Sequence, residues 1–220
     1  MTGFRASWRS HVGRKITMAV TGILLVGFLL SHMASNILVF KDPASLDAYA
    51  AWLRGFGPLL WVARLGLVAL AGLHVWSALG LIRANREARP VGYARHALAS
   101  STWGARSMRV GGFILLFFIV FHILHFTTGT VHPDFVPGRV GENLIVGFQL
   151  QPAVAAFYIV AMGALGLHLS HGIWSFFQTM GLNHPRWNRS RLVLAWGLAI
   201  AIAGGLLVIP VGVLAGWAGR

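Results

Sequence analysis

The sequence predicts an all-α integral membrane protein, built as a bundle of five transmembrane helices. Of its 220 residues, 56% are hydrophobic and only 10% are charged, which is too few charged residues to cover a water-soluble domain. Five stretches are apolar over roughly 20 residues or more, the length of a helix that crosses a bilayer. The basic residues that produce the net charge of +13 lie mostly between these stretches.

The five predicted spans follow one another with short connections. We place them at residues 16–40, 59–82, 110–129, 152–179 and 192–217. The first follows a basic stretch, as a signal peptide's apolar core does, but it is too long for one, so we expect a retained helix. The connections are too short to bury a core of their own. Residues 1–220 are therefore expected to form a single transmembrane domain.

The charges of the connections predict the orientation, because lysine and arginine accumulate on the cytoplasmic side of short loops. One side collects most of the basic residues: Arg5, Arg9, Arg14, Lys15, Arg83, Arg86, Arg89, Arg95, Arg106, Arg109, Arg186, Arg189 and Arg191. The other side has four of the five acidic residues: Asp42, Asp47, Asp134 and Glu142. We expect a multi-pass protein of the cell inner (cytoplasmic) membrane, with its N-terminus in the cytoplasm and its C-terminus outside. The basic face suits anionic lipid headgroups or a partner protein, and no nucleic acid is expected.

Histidines are the candidate functional residues. The chain has ten, and six lie within predicted spans: His32, His74, His122, His125, His168 and His171. Ionisable side chains at that depth are costly and are functional candidates by default. Any single one could instead bond a carbonyl of a neighbouring helix, but the first four spans each carry at least one. The chain has no cysteine, and its spans have no carboxylate, which disfavours iron–sulfur clusters, zinc and similar metal sites.

Depth in the membrane suggests how the histidines pair. Two axial ligands of one haem must lie at nearly the same level on facing helices. Counting along the helices at about 1.5 Å per residue places His32 and His122 in the outer half, and His74 and His168 in the inner half or near the middle. The natural pairs are therefore His32 with His122 and His74 with His168, about 10 Å apart in level. Two histidines on one iron leave no open position, so such a site carries electrons rather than a gas.

Spacing alone leaves two positions open. His125 lies three residues after His122, and His171 lies three residues after His168. Residues three apart share a helix face, so either member of each pair could be the ligand.

Four stretches together resemble a known family, the five-helix dihaem cytochrome b membrane anchor of succinate dehydrogenases and fumarate reductases. The most specific is His-Leu-Ser-His-Gly-Ile-Trp-Ser-Phe at residues 168–176. The others are Ser-His-Met-Ala-Ser-Asn at 31–36, His-Val-Trp-Ser-Ala-Leu-Gly at 74–80 and Phe-His-Ile-Leu at 121–124. The resemblance implies haem ligands at His32, His74, His122 and His168, with His125 and His171 at non-ligand positions.

The resemblance also implies partners and an activity. The family anchors a flavoprotein and an iron–sulfur subunit on the cytoplasmic side, and passes electrons from succinate through two b haems to a membrane quinone. This chain would be the quinone-reactive subunit of a succinate:quinone oxidoreductase, acting on menaquinone or ubiquinone, with no succinate site of its own. We expect residues 83–109 to face the cytoplasm and help dock the iron–sulfur partner.

The quinone site is weakly marked in the sequence. A quinone needs hydrogen-bond donors beside an apolar slot. The candidates near the outer haem are Asn36, Trp52, His125 and Gln149, and those near the inner haem are Arg14, Trp103, Arg106 and His171. Each could instead be an interface aromatic, a propionate partner or a helix cap. We prefer the outer set.

Two other functions fit parts of the pattern. One is a cytochrome b subunit of another respiratory dehydrogenase, such as a formate dehydrogenase or a hydrogenase. The histidine-free fifth span and residues 168–176 favour the succinate family over it. The other is a transporter or channel with a histidine proton relay, which would bind no chromophore and would show no visible absorption.

Overall fold

The predicted all-α fold is confirmed by a computed structural model, which describes residues 10–88 and 103–218, with only the backbone of residues 103–106. These residues contain no strand. The helices are α1 (His11–Asn36), α2 (Pro43–Arg54), α3 (Pro58–Glu87), α4 (Trp103–His122), α5 (Val140–Gln149), α6 (Pro152–Thr179) and α7 (Asn188–Leu214). Three short turns adjoin them: 3-10 turns at Ile37–Phe40 and Pro185–Trp187, and a π turn at Ile123–Thr127.

The five predicted spans are α1, α3, α4, α6 and α7. With their adjoining turns, all five are long and apolar enough to cross a membrane, with mean hydropathy from 1.8 to 2.6. The first begins at His11, earlier than predicted, because the Ser10 side chain accepts a hydrogen bond from the Gly13 N–H (3.0 Å) and so caps the helix. The chain is therefore a multi-pass membrane protein.

The centre of the bundle is α6. It packs against α1, α4 and α7, whereas α3 packs chiefly on α1. Small side chains at Ala161, Ala195 and Ala199 are fully buried between α6 and α7, where they let the two helices approach closely. The four helices that carry the span histidines thus pack together, α3 against α1, α4 against α6, and α1 against α6.

Two short helices, α2 and α5, cover one end of the bundle, which we call the capped end. Asp42 caps α2 by accepting from the Ser45 N–H, and Pro43 occupies the first helical position. The two helices meet where the Gly141 N–H donates to Asp47 Oδ1 (2.8 Å). The opposite end holds the start of α1, the end of α3 and the turn between α6 and α7.

Candidate functional site

The helices bring four span histidines together as two pairs. His32 of α1 faces His122 of α4, with ring centroids 5.8 Å apart and ring planes at 85°. His74 of α3 faces His168 of α6, with centroids 6.2 Å apart and planes at 61°. These are the two pairs that depth suggested, and their members are the four ligands that the resemblance implies.

The two pairs lie at different levels. On α6, Tyr158 contacts His122, and His168 follows ten residues later. On α1, Thr21 contacts His74, and His32 follows eleven residues later. At about 1.5 Å of rise per residue, both helices give a separation of about 15 Å. This separation exceeds the value of about 10 Å that was counted from the predicted span ends. The new value is measured between residues that contact each other across two helices, so it does not depend on where each span is taken to begin. The His32–His122 pair is the one nearer the capped end.

The end of α4 shapes the pair at the capped end. After His122 the backbone widens into the π turn Ile123–Thr127, where the Thr128 N–H bonds the Ile123 carbonyl (2.9 Å). Such turns are frequent at functional sites. His125, within this turn, is completely buried. The hydroxyl of Tyr158 lies 3.2 Å from Nδ1 of His122 and 3.2 Å from Nδ1 of His125.

Aromatic rings and one amide complete the surroundings of this pair. Phe28 stacks on His32 and Phe118 stacks on His122, with centroids 5.3 and 5.7 Å apart. The Asn36 amide donates to the His32 carbonyl (2.7 Å) and lies 3.5 Å from His32 Nδ1. The pair therefore sits in a largely apolar setting that excludes water.

His74 is held by the backbone of α1. Its Nδ1 lies 3.1 Å from the Met18 carbonyl and 3.2 Å from the Thr21 hydroxyl. Because a carbonyl only accepts, Nδ1 carries the proton, and Nε2 keeps the lone pair that binds a metal. Gly22 makes room for the ring, since a Cβ there would lie 3.2 Å from His74 Cε1.

The partner of His74 is less constrained by hydrogen bonds. Nδ1 of His168 is buried and has no hydrogen-bond partner among the described residues. His171, one turn further along α6, is half-buried.

Both pairs fit the axial ligands of a haem. A metal–imidazole bond is about 2 Å long, so two imidazoles on opposite sides of one iron have ring centroids about 6 Å apart. The observed values of 5.8 and 6.2 Å match this separation. Within the described residues, no group of three or more His, Cys, Asp or Glu side chains could hold a bare metal ion. The residues therefore suit a cofactor that supplies the remaining ligands itself.

The predicted quinone candidates of the outer set separate into two groups. Asn36 and His125 join the histidine pair at the capped end. Trp52 and Gln149 are exposed at the same end, where the Trp52 ring contacts Tyr49 at a tilt and Phe56 edge to face.

Arg14 and His171 of the inner set are both partly buried. The Arg14 guanidinium donates to the Gly80 carbonyl (2.7 Å) and lies over the Trp76 ring (5.6 Å), so it ties α1 to α3. A Cβ at position 80 would meet this guanidinium, so a larger residue there would require the Arg14 side chain to shift. The side chains of Trp103 and Arg106 lie outside the described residues.

Three residues of these sites were not predicted from the sequence. Tyr158, Thr21 and Gln151 carry polar groups in or beside an apolar span, and this is the signal that could have found them. Gln151 stands two residues after the predicted Gln149 and is the glutamine whose side chain interacts with His125. The Met18 carbonyl gives no signal in the sequence, because it belongs to the backbone.

Comparison with known proteins gives one curated relative. No family model and no solved structure matches the chain. The chain is similar to the succinate dehydrogenase cytochrome b558 subunit of Bacillus subtilis (strain 168), with 23% identity over 167 residues, covering 74% of this chain and 77% of that protein. This relative and the five apolar helices fit a cytochrome b membrane anchor, which confirms the resemblance drawn from the sequence.

Proposed function

We propose that the chain is the membrane anchor and electron-transfer subunit of a succinate:quinone oxidoreductase and that it binds two b haems. One observation carries the proposal: two histidine pairs, each on facing helices, lie at two levels with ring separations of 5.8 and 6.2 Å. The named relative supports the choice of enzyme, since it is a cytochrome b subunit of a succinate dehydrogenase.

The histidines would act as axial ligands. His32 and His122 would hold the outer haem, and His74 and His168 the inner one. When bound, each haem would supply one-electron redox chemistry. The contribution of the protein is to fix ring orientation, as the Met18 carbonyl does for His74, and to exclude water with the aromatic side chains around His32 and His122.

The basic side chains at the end opposite the capped end support a cytoplasmic location for that end. The described residues there include the basic side chains Arg14, Lys15, Arg83, Arg86, Arg109, Arg186, Arg189 and Arg191. The flavoprotein and iron–sulfur partners would dock on this side, in the inner membrane of the cell. The predicted docking segment, residues 83–109, lies largely outside the described residues.

The quinone would react near the capped end. Asn36 places a side-chain amide beside the apolar surroundings of the outer pair, and a quinone site requires a polar group in such a setting. Trp52 and Gln149 are exposed at the same end and would line the approach of the quinone.

The haem content of the intact complex tests this function. We expect the complex to purify with a flavoprotein and an iron–sulfur subunit, and a pyridine haemochrome assay to return two b haems per copy of this chain. One haem per chain would overturn the two-pair assignment. A colourless complex would overturn the electron-transfer function and favour a histidine relay.

A further inference from the structure

The hydroxyl of Tyr158 lies between two imidazoles, of which only one belongs to a histidine pair. It is 3.2 Å from Nδ1 of His122 and 3.2 Å from Nδ1 of His125. The Tyr158 side chain is 5% exposed and His125 is 0% exposed. These hydrogen bonds are therefore shielded from water, and a broken one would leave a buried polar group unpaired.

The role of His122 as a ligand fixes the direction of both hydrogen bonds. If Nε2 of His122 binds iron, its Nδ1 carries the proton and donates to the Tyr158 oxygen. A hydroxyl has one proton to donate, so Tyr158 donates its own to Nδ1 of His125. His125 must then carry its proton on Nε2.

Gln151 provides the acceptor that this direction requires. Nε2 of His125 and Oε1 of Gln151 are both buried, and neither has a hydrogen-bond partner among the described residues. In the required tautomer Nε2 of His125 is a donor, and Oε1 of Gln151 is an acceptor, so the two atoms are complementary. The donor direction would then run from His122 through Tyr158 and His125 to Gln151.

We propose that Tyr158 and His125 are positioning residues for the haem ligand His122, and that they lower the reduction potential of the outer haem. The proposal rests on the proposed function, because it requires His122 to be a ligand. A hydrogen bond accepted from Nδ1 makes the opposite nitrogen a stronger electron donor, which favours oxidised iron. This role also accounts for the burial of His125, which lies three residues after the ligand His122 and is not itself a ligand.

The two haems would then be tuned by different groups. Nδ1 of His74 is bonded by the Met18 carbonyl and the Thr21 hydroxyl, and Tyr158 lies at the other level. A change at Tyr158 should therefore affect one haem alone.

The first test is Tyr158→Phe in the intact complex, with Tyr49→Phe as the matched control. The variant keeps the aromatic ring, which packs on Phe118 and Phe148, and removes only the hydroxyl. We expect the outer haem to titrate at a higher potential. Its oxidised-to-reduced ratio at a given applied potential should change about threefold to tenfold. A tenfold change corresponds to about 59 mV for one electron. Its low-temperature electron paramagnetic resonance signal should also move. The inner haem and the Tyr49→Phe complex should match wild type.

The second test separates His125 from Tyr158. In His125→Asn a side-chain amide oxygen can replace Nδ1 as the acceptor, so the potential of the outer haem should stay near the wild-type value. In His125→Leu the acceptor is lost, so the potential should rise. Adding His125→Leu to Tyr158→Phe should add little, because His125 acts through Tyr158. If Tyr158→Phe loses the outer haem altogether, the potentials of His125→Asn and His125→Leu test the inference instead.

Three results would overturn the inference while leaving the proposed function intact, each with a wild-type complex that holds two haems. In the first, Tyr158→Phe moves neither the potential nor the resonance signal of the outer haem. In the second, Tyr158→Phe shifts both haems equally. In the third, His125→Asn and His125→Leu have equal potentials. A wild-type complex without haem would instead overturn the proposed function itself.

Discussion

The position of His74 depends on two neighbours in α1. The Met18 carbonyl holds Nδ1 at 3.1 Å, and Gly22 leaves space on the side of Cε1. An alanine at position 22 would place its Cβ 3.2 Å from Cε1, a contact tight enough to displace the ring by a few tenths of an ångström. The glycine is therefore tied to the geometry of the proposed ligand rather than to the fold of α1.

We predict that Gly22→Ala perturbs the inner haem alone. The displaced ring should weaken its bond to the Met18 carbonyl, so the potential and resonance signal of that haem should change. Helix α1 should not be destabilised, because alanine is favoured over glycine in helix interiors by about 0.5–1 kcal/mol. Redox titration of the purified complex measures the effect.

Gly197→Ala in α7 is the control for this prediction. A Cβ at position 197 would meet no atom within 4 Å. Unchanged titration curves in both variants would show that Gly22 does not constrain His74. A change at the outer haem would show that the two pairs are not separate.

For single residues, the sequence predicted which histidines form the two pairs but not the groups that form hydrogen bonds with them. The four histidines of the two pairs stood out because ionisable groups are rare in apolar spans. The choice of His122 over His125 came from the resemblance, since spacing left both open. The contacts of Met18, Tyr158 and Gln151 depend on which helices are neighbours, and one sequence does not contain that information.

Among the elements, the five spans could be predicted from the sequence, but the two helices that cover the capped end could not. Long apolar stretches fix most span ends to within about five residues. The cap at Ser10 extends α1, and α4 begins at Trp103, before the predicted start at residue 110. Helices α2 and α5 are only 12 and 10 residues long, and they were left inside predicted connections. The π turn after His122 was also missed, because a single widened turn does not alter apolar composition.

The contact between α2 and α5 gives an element-scale prediction. A Cβ at Gly141 would collide with the backbone carbonyl of Pro43, which cannot rotate away as a side chain can. We expect Gly141→Ala to force the two helices apart, weaken the bond to Asp47 and destabilise the protein by about 1–3 kcal/mol. The thermal unfolding midpoint of the purified complex measures this.

The capped end should be the first part affected. The outer haem should therefore be lost on heating before the inner one in Gly141→Ala. If this variant unfolds at the same temperature as Gly197→Ala, the close approach of α2 to α5 is contradicted.

At the scale of the whole molecule, the charges of the two ends predict the orientation. The chain has no cysteine, so single introduced cysteines report without background. We expect a membrane-impermeant maleimide to label Val136→Cys, at the capped end, in intact cells. Ala88→Cys, at the end of α3, should be labelled only after denaturing solubilisation. Labelling after solubilisation is also the control that both introduced cysteines can react.

The reverse labelling pattern would contradict the orientation and the placement of the partner subunits. The same test applies to a cysteine at Ala97, which lies outside the described residues and within the predicted docking segment.

The central claim is that four histidines on four helices bind two haems as two separate pairs. It is tested most directly by redox-titrated optical spectra of the complex with a single alanine at His32, His74, His122 or His168. We predict that the His32 and His122 variants lose the same spectral component, and that the His74 and His168 variants lose the other. His171→Ala should keep both components. Loss of one component by both the His32 and His74 variants, or loss in the His171 variant of a haem that the His168 variant retains, would contradict the pairing.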